Sequence, residues 1–197
     1  MTGWELPTAV ELGGTAYPIA ADYRDILEII DELQYGDDPA PVRQYVAISL
    51  FYDDFDAIPV EHREDAVTAM LWFIACGEED NGGRPGPPPV KQIDWQQDRL
   101  AIVADVNKVA GCEVRALPFL HWWTFVSFFN AIGEGQLSTL VSLREKLRRG
   151  KKLEEWERDY LARNRQRVVL QPRYTAEEKA DREAAERLLR GDRGDTP

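Results

Sequence analysis

The stretch Pro118-Phe119-Leu120-His121-Trp122-Trp123-Thr124-Phe125-Val126-Ser127-Phe128-Phe129 is the most aromatic part of the chain. It places two of the six tryptophans and four of the seven phenylalanines beside one histidine. Burying one such aromatic side chain contributes about 1.5–3 kcal/mol, so the run belongs in a core or against a partner. A bilayer span needs about 20 apolar residues, which is longer than this run. The stretch therefore predicts a buried helix over residues 118–132, with His121, Trp122 and Phe125 as structural core residues.

Helical periodicity continues on both sides of this aromatic run. Apolar residues recur at spacings of three and four, and capping residues, prolines and glycines mark the ends of each segment. The predicted helices are a segment from Asp22 to Gly36, one from Pro39–Pro41 to Phe51, one from Pro59 to Gly77, one capped by Asp94 and ending at Gly111, and, after the aromatic helix, Gln136–Arg149, Leu153–Asn164 and Thr175–Arg190.

The start of the chain has a different pattern. Apolar residues flank Gly13-Gly14 between Val10 and Ile19, and two consecutive glycines suit a two-residue hairpin turn. We therefore expect a small β-hairpin here, followed only by helices.

These patterns predict a mainly α-helical protein with a single helical domain and an N-terminal β-hairpin. The core domain is expected over residues 1–150, with an exposed loop at 77–90, where glycine, proline and acidic residues cannot pack as a helix. Residues 151–197 are expected to form a peripheral charged helical tail. Their helices carry few apolar anchors, and isolated helices of this length are marginal in water.

Charge is distributed unevenly along the chain. The net charge is −11, and residues 1–142 carry 8 basic and 23 acidic side chains, whereas residues 143–173 carry 11 basic and 5 acidic ones. An acidic body argues against nucleic acid as a partner, because phosphate contacts require a basic face. The basic segment predicts contact with another protein or with a second copy. The predicted partner-binding residues are Arg144, Arg148, Arg149, Lys151, Lys152, Trp156 and Tyr160.

No pattern of catalytic residues is visible in the sequence. A P-loop, a glycine-rich dinucleotide turn, a Gly-x-Ser-x-Gly element and paired Cys-x-x-Cys motifs are all missing, and His62 lacks the second histidine of a zinc-protease motif. The spacing of the two histidines and two cysteines does not require a metal site. The two well-separated cysteines indicate a reducing compartment without a disulfide framework. We therefore expect no catalytic, cofactor-binding or metal-binding residues, no membrane partner, and an interaction protein in place of an enzyme.

Three elements, in their order along the chain, resemble the bacteriophage gene product 15 family. The first is Trp4-Glu5-Leu6-Pro7, followed by a strand pair, Tyr17-x-Ile19 and Asp22-Tyr23-Arg24. The second is Asp94-Trp95-Gln96-Gln97-Asp98 with Ile102-Val103-Ala104-Asp105-Val106 after it. The third is His121-Trp122-Trp123-x-Phe125 and a later helix with Leu143-Arg144. The resemblance covers roughly residues 4–150.

Genes of this family usually lie between those of the major tail protein and the tape measure protein. The resemblance therefore implies a tail assembly chaperone in the cytoplasm of the host bacterium, with the tape measure protein or other tail proteins as partners. A structural head–tail or tail component of the virion is the alternative. The sequence leaves open the oligomeric state, a homo-oligomer included, and any frameshift fusion product.

Overall fold

A computed structural model describes residues 4–78 and 90–190, and about 60% of the chain is helical. This confirms the mainly α-helical fold with an N-terminal hairpin. In the described residues the elements are β1 (Ala9–Leu12), β2 (Thr15–Pro18), α1 (Tyr23–Tyr35), α2 (Ala40–Phe51), α3 (Arg63–Ile74), α4 (Arg99–Ala110), α5 (Trp122–Asn130), α6 (Gln136–Arg148), α7 (Glu155–Val168) and α8 (Ala176–Leu189), with short 3-10 turns at Val60–His62 and Val114–Ala116.

The hairpin forms at the predicted turn. β1 and β2 pair antiparallel, with Leu12 opposite Thr15. Gly13 and Gly14 have φ angles of 56° and 81°, which is the left-handed conformation that a type I′ turn requires at both central positions. The two glycines thus set the register that buries Val10 and Leu12 on the same face of the hairpin.

Contacts between Cα atoms divide the chain into two compact units, each assembled from distant segments. The aromatic unit comprises the described parts of Met1–Leu6, Ala21–Tyr23 and Leu71–Gln171. The hairpin unit comprises Pro7–Ala20, Arg24–Met70 and the described residues from Pro172 onward. Each unit combines segments from residues 1–150 with described residues from 151–190.

The aromatic run occupies the core of the aromatic unit. His121 and Trp122 are 3% exposed and Phe125 is 1% exposed. The ring of Phe125 stacks on Tyr23 at 4.5 Å, and Trp95 packs against Trp122 at 6.2 Å. Helices α4 and α6 complete this core with the buried side chains Ala101, Ile102, Val103, Val106, Leu137, Leu140 and Leu143.

Two consecutive tryptophans bind the carboxyl end of α3. The indole Nε1 of Trp122 donates a hydrogen bond to the carbonyl of Ile74, and that of Trp123 donates to the carbonyl of Phe73, both at 2.9 Å. The last carbonyls of a helix have no partner within the helix. The two indoles therefore supply hydrogen-bond donors to these two carbonyls, and their rings add apolar contact area.

The hairpin unit has its own apolar core. Its fully buried side chains include Ile26 and Ile29 of α1, Phe51 of α2 and Met70 of α3. Tyr52 is buried beside them, and its hydroxyl donates to the carbonyl of Ala66 at 3.0 Å. This burial raises the pKa of Tyr52 to about 12, because the phenolate would lose its hydration.

The aromatic helix is shorter than predicted. It begins at Trp122, after an extended segment, and His121 is its N-cap, with Nδ1 accepting from the backbone N–H of Trp123 at 3.1 Å. Helical periodicity alone missed this start because the preceding residues are just as apolar. The predicted loop over 77–90 lies largely outside the described residues, since 79–89 fall in the gap.

The predicted cap Asp94 does not begin a helix. Its carboxylate accepts from the backbone N–H groups of Gln96 and Gln97 and so closes a turn. The helix begins later, with Asp98 at the N-cap position of α4. The prediction of Asp94 as the cap of this helix was therefore wrong, because Asp98 occupies that position.

The tail divides between the two units. In the aromatic unit, α7 packs on α6, with Val168 fully buried and Glu157 2% exposed. Polar contacts that hydropathy does not register also hold α7, since Lys146 Nζ lies 2.6 Å from Glu157 Oε1. In the hairpin unit, α8 has no buried residue between Ala176 and Leu189.

Candidate functional site

A buried arginine organises the polar interior of the aromatic unit. Arg144 on α6 is 7% exposed, and its guanidinium binds both carboxylate oxygens of Asp98 at 2.6 and 2.7 Å. The remaining donors go to the carbonyls of Gln92, Val168 and Arg167 at 2.7–2.8 Å. All five N–H groups of the guanidinium thus have acceptors, which is the condition under which a buried charge is tolerated.

Asp94 fixes the segment that supplies Asp98. The backbone N–H of Asp94 donates to Asp98 Oδ2 at 2.9 Å, and Lys91 Nζ lies 2.7 Å from Asp94 Oδ2. Burial pushes the pKa of Asp94 upward. The hydrogen bonds from Lys91 and from the backbone of Gln97 and Gln96 outweigh that effect, so the pKa lies below its ordinary value. The Asp94 carboxylate is therefore ionised in the folded protein at neutral pH.

Gln97 attaches the end of α7 to the same segment. Its Nε2 donates to the carbonyls of Gln166 and Val169 at 3.0 and 2.9 Å, and its Oε1 accepts from the backbone N–H of Gln171 at 2.8 Å. Arg144 and Gln97 together hold the backbone that follows α7 in one position. We call this set, Asp94, Gln97, Asp98 and Arg144, the polar clamp.

The polar clamp leaves an apolar groove beside it. The groove has a volume of about 280 Å³ and lies between the last turn of α6 and the backbone that the clamp holds. Lys91 and Arg148 stand at its edge, and its apolar lining consists of Val90, Leu147, Val168, Val169 and Leu170. Leu147 is 39% exposed, so the groove presents apolar surface to solvent. We call it the basic groove.

Lys91 binds the buried Asp94, whereas the arginines at this edge have a surface partner. Arg148 binds Glu145 at 2.7 Å, and Arg149 also binds Glu145. The hydrogen bond from Arg148 lowers the pKa of Glu145 to about 2. Ion pairs between exposed side chains are weak, with typical values of about 0–1 kcal/mol. A partner's carboxylates could therefore replace Glu145 at little cost.

The residues predicted to bind a partner differ in position. Arg144 belongs to the polar clamp and is 7% exposed, and it also contributes to the lining of the basic groove. Arg148 lines the basic groove, and Arg149 is exposed beside Glu145. Lys151 and Lys152 are exposed and make no ion pair with the described residues. Trp156 is 54% exposed, with its indole donating to Glu154, and Tyr160 is half-buried.

The described residues offer no constellation for metal chemistry. Within 4–78 and 90–190, no three His, Cys, Asp or Glu side chains come together as ligands for an ion. In the same ranges, every helix is too short or too polar to cross a membrane. The arrangement of the site, an apolar groove with cations at its edge, is suited to holding an acidic, partly apolar protein segment.

A protein-family model described as bacteriophage Gp15 protein matches residues 4–170. The chain belongs to this family. No curated protein and no solved structure matches the chain. Family membership identifies a bacteriophage protein and supports a role in phage structure or morphogenesis.

The match to the Gp15 family extends further than the motifs in the sequence indicate. It reaches Leu170, so it includes α7 and the backbone held by the polar clamp, and it ends before α8. Two elements of the family resemblance also meet in space: Asp98 of the Asp94–Asp98 segment binds Arg144 of the Leu143-Arg144 pair. The basic groove therefore lies within the part of the chain that defines the family.

The sequence did not predict the role of Asp98 or the contribution of the apolar side chains of Val168–Leu170 to the groove. A signal was present for the first. Arg144 lies on the same helical face as Leu137, Leu140 and Leu147, and a charge on an apolar face predicts a buried counter-charge. No comparable signal exists for Val168–Leu170, because that short run is placed by hydrogen bonds from Gln97 and Arg144, and not by its own periodicity.

Proposed function

We propose that this Gp15-family protein is a tail assembly chaperone of a long-tailed phage and binds the tape measure protein in the cytoplasm of the host. The basic groove carries the proposal. A tape measure protein is a long, largely helical chain that must stay soluble before tail tube subunits assemble around it. An apolar groove with cations at its edge suits one face of an amphipathic helix from such a chain.

The charge of the chain supports the same function. A net charge of −11 helps to keep the protein in solution while it is bound to an apolar client. Two cations, Lys91 and Arg148, line the groove, each paired with one carboxylate of the chain. A client helix with acidic residues beside its apolar face would therefore be drawn to the basic groove, and salt would weaken that attraction.

The groove can be tested without disturbing the core. Leu147 is 39% exposed on α6 and lines the groove, so Leu147→Asp places a charge in the binding surface. Leu100 on α4 is 63% exposed and lies outside the groove lining, which makes Leu100→Asp a matched control. We expect Leu147→Asp to abolish co-purification with the tape measure protein of the same phage, and Leu100→Asp to leave it unchanged.

Thermal melting of both variants provides the folding control. Equal co-purification by wild type and Leu147→Asp would reject the basic groove as the client site.

Mass spectrometry of purified particles separates a chaperone from a retained tail component. A chaperone is absent from finished virions, whereas the alternative requires a fixed number of copies in each particle.

A further inference from the structure

The hairpin unit contains a second groove, which lies beside an acidic segment of the chain. It lies between α2 and α3 and has a volume of about 390 Å³. Its lining consists of Pro41, Gln44, Tyr45, Ile48, Phe55, Arg63, Glu64 and Val67. Tyr45 is 52% exposed and stands edge-on to Phe55 at 6.0 Å. Apolar surface of this kind, open to solvent between two helices, is the geometry in which proteins accept a third helix.

Acidic residues dominate the chain beside this groove. Residues 53–65, which run from the end of α2 into α3, hold six Asp or Glu and one Arg, and all six acidic residues are exposed. The arginine, Arg63, is engaged within the unit: its Nε donates to the carbonyl of Ile58 and its guanidinium lies 4.9 Å from the Phe55 ring centroid. We call this site the acidic groove. An occupant with basic residues beside apolar ones would complement it.

The same unit carries a helix that is fixed at its beginning and exposed at its end. The buried Thr175 caps α8, accepting from the N–H of Glu178 at 3.2 Å, while Glu178 accepts from the N–H of Thr175. Arg173 binds Asp31 bidentately, and Lys179 lies 2.9 Å from Asp37. These contacts attach the first turn to the chain around the end of α1.

The last turn of α8 carries basic residues beside exposed apolar ones. It reads Arg187-Leu188-Leu189-Arg190, with Leu188 77% and Leu189 88% exposed. In the isolated copy the two leucines contact solvent, while Arg187 donates to the carbonyl of Glu183 and Arg190 lies 3.5 Å from Glu186. Because the leucines face solvent, the helix does not occupy the acidic groove of its own copy.

We propose that α8 of one copy docks its Arg187–Arg190 turn into the acidic groove of a second copy. The leucines would cover Tyr45 and Val67, and the arginines would meet the exposed acidic residues of 53–65. A helix of 14 residues extends about 21 Å, so an arm anchored at Thr175 can reach beyond its own unit. This self-association does not depend on the proposed chaperone function, which rests on the basic groove of the aromatic unit.

The test measures the mass of the full-length protein by light scattering over a dilution series in low salt. We expect the wild type to self-associate and salt to weaken it, because exposed charges contribute to the contact. Leu188→Asp/Leu189→Asp should weaken association at least about tenfold, since two buried leucines are lost. These leucines are exposed, so the variant should melt like the wild type.

Variants of the groove make the test independent of the arm. Tyr45→Asp should also weaken association, whereas Leu50→Asp, at a position on α2 that is 43% exposed and outside the lining, should not. Mixing the arm variant with Tyr45→Asp should partly restore association, because one partner retains an arm and the other retains a groove. Unfolding cannot produce such a rescue.

Three results would overturn the proposal. The wild type could remain a single copy at every concentration, the arm variant could associate like the wild type, or the mixture of the two variants could show no rescue. If the isolated protein stays monomeric while Tyr45→Asp loses the tape measure protein, the acidic groove belongs to a different partner and not to a second copy.

Discussion

Among the residues that the structure describes, each unit buries one arginine, and the two arginines differ in their hydrogen-bond partners. Arg144 in the aromatic unit is 7% exposed and Arg43 in the hairpin unit is 8% exposed. Every donor of Arg144 has an acceptor, whereas Nε and Nη1 of Arg43 have no hydrogen-bond partner among the described residues. Arg144 and Arg43 are therefore buried to a similar extent but differ in how much their burial costs in free energy.

The difference teaches where this chain uses charge for structure. The polar clamp uses Arg144 to fix the backbone after α7, and with it the basic groove. Arg43 fixes nothing by hydrogen bonds among the described residues, so its burial is a cost borne by the rest of the hairpin unit. A buried charge is a structural device only where its partners are present.

The strongest way to break the comparison is to remove the counter-ion of Arg144. Asp98→Ala leaves a buried guanidinium without its carboxylate, and loss of one member of a buried pair costs about 3–5 kcal/mol. Urea unfolding should show this loss in the free energy of unfolding. The exposed Asp53 gives the control, since Asp53→Ala should change stability by less than about 0.5 kcal/mol. Equal midpoints for the two variants would contradict the clamp.

A second carboxylate of the aromatic unit tests the comparison through pH. Asp105 is buried on α4, and its Oδ2 accepts from the backbone N–H of Leu137 at 2.8 Å, which satisfies an amide at the start of α6. Burial raises the pKa of Asp105, but hydrogen bonds from Lys108 and from the backbone of Leu137 and Gln136 lower it by more, so the pKa lies below its ordinary value. Asp105→Asn should cost about 1.5–3 kcal/mol at neutral pH.

The sign of the pH effect follows from that lowered pKa. The stabilisation by Asp105 is complete above its unfolded pKa and is lost as the pH falls through the lower folded value. Wild type should therefore lose more unfolding free energy than Asp105→Asn as the pH decreases from about 5 toward 3. Parallel pH profiles for the two proteins would show that the ionised carboxylate does not stabilise α6.

Substituting the two arginines by methionine sharpens the comparison with a smaller effect. Arg43→Met keeps an apolar stem of similar length and removes two buried donors that lack acceptors, so it should raise the unfolding free energy by up to about 2 kcal/mol. Arg144→Met should lower it, because five acceptors lose their donor. Destabilisation by both substitutions, measured in denaturant, would mean that Arg43 has a compensating role in the hairpin unit.

The smallest effect is expected at the surface of the hairpin unit. Lys179 on α8 pairs with Asp37 at 2.9 Å, and both side chains are largely exposed. The hydrogen bond from Lys179 lowers the pKa of Asp37, yet a solvated pair contributes little to global stability. Lys179→Ala should leave the melting temperature unchanged while hydrogen exchange in the first turns of α8 accelerates. Unchanged exchange would show that Arg173 and Thr175 alone anchor the helix.

Periodicity and turn chemistry predict most of the secondary structure because those signals are local. Gly13-Gly14 forms the hairpin turn, and the Thr175–Glu178 capping box opens α8 as the sequence indicates. The cap of α5 was not predicted, since a histidine side chain is an unusual acceptor for a backbone N–H and His121 lies inside an apolar run.

The candidate site was predictable only in part. Basic residues near the end of α6 indicate a contact surface, and Arg148 does line the basic groove. The sequence could not show that Arg144, four positions earlier, points inward, because that depends on Asp98, 46 residues away. Long-range polar pairing has no period in the sequence, so hydropathy reads α7 as a loose tail where hydrogen bonds make it part of a core.

The distribution of tryptophan has a spectroscopic consequence. All six tryptophans of the chain, at positions 4, 72, 95, 122, 123 and 156, belong to the aromatic unit, and the hairpin unit contains only tyrosines and phenylalanines. Emission excited at the red edge of the absorption band therefore reports one unit alone, while circular dichroism sums the helices of both. Superposing the two unfolding curves shows directly whether the units melt as one cooperative body or in separate steps.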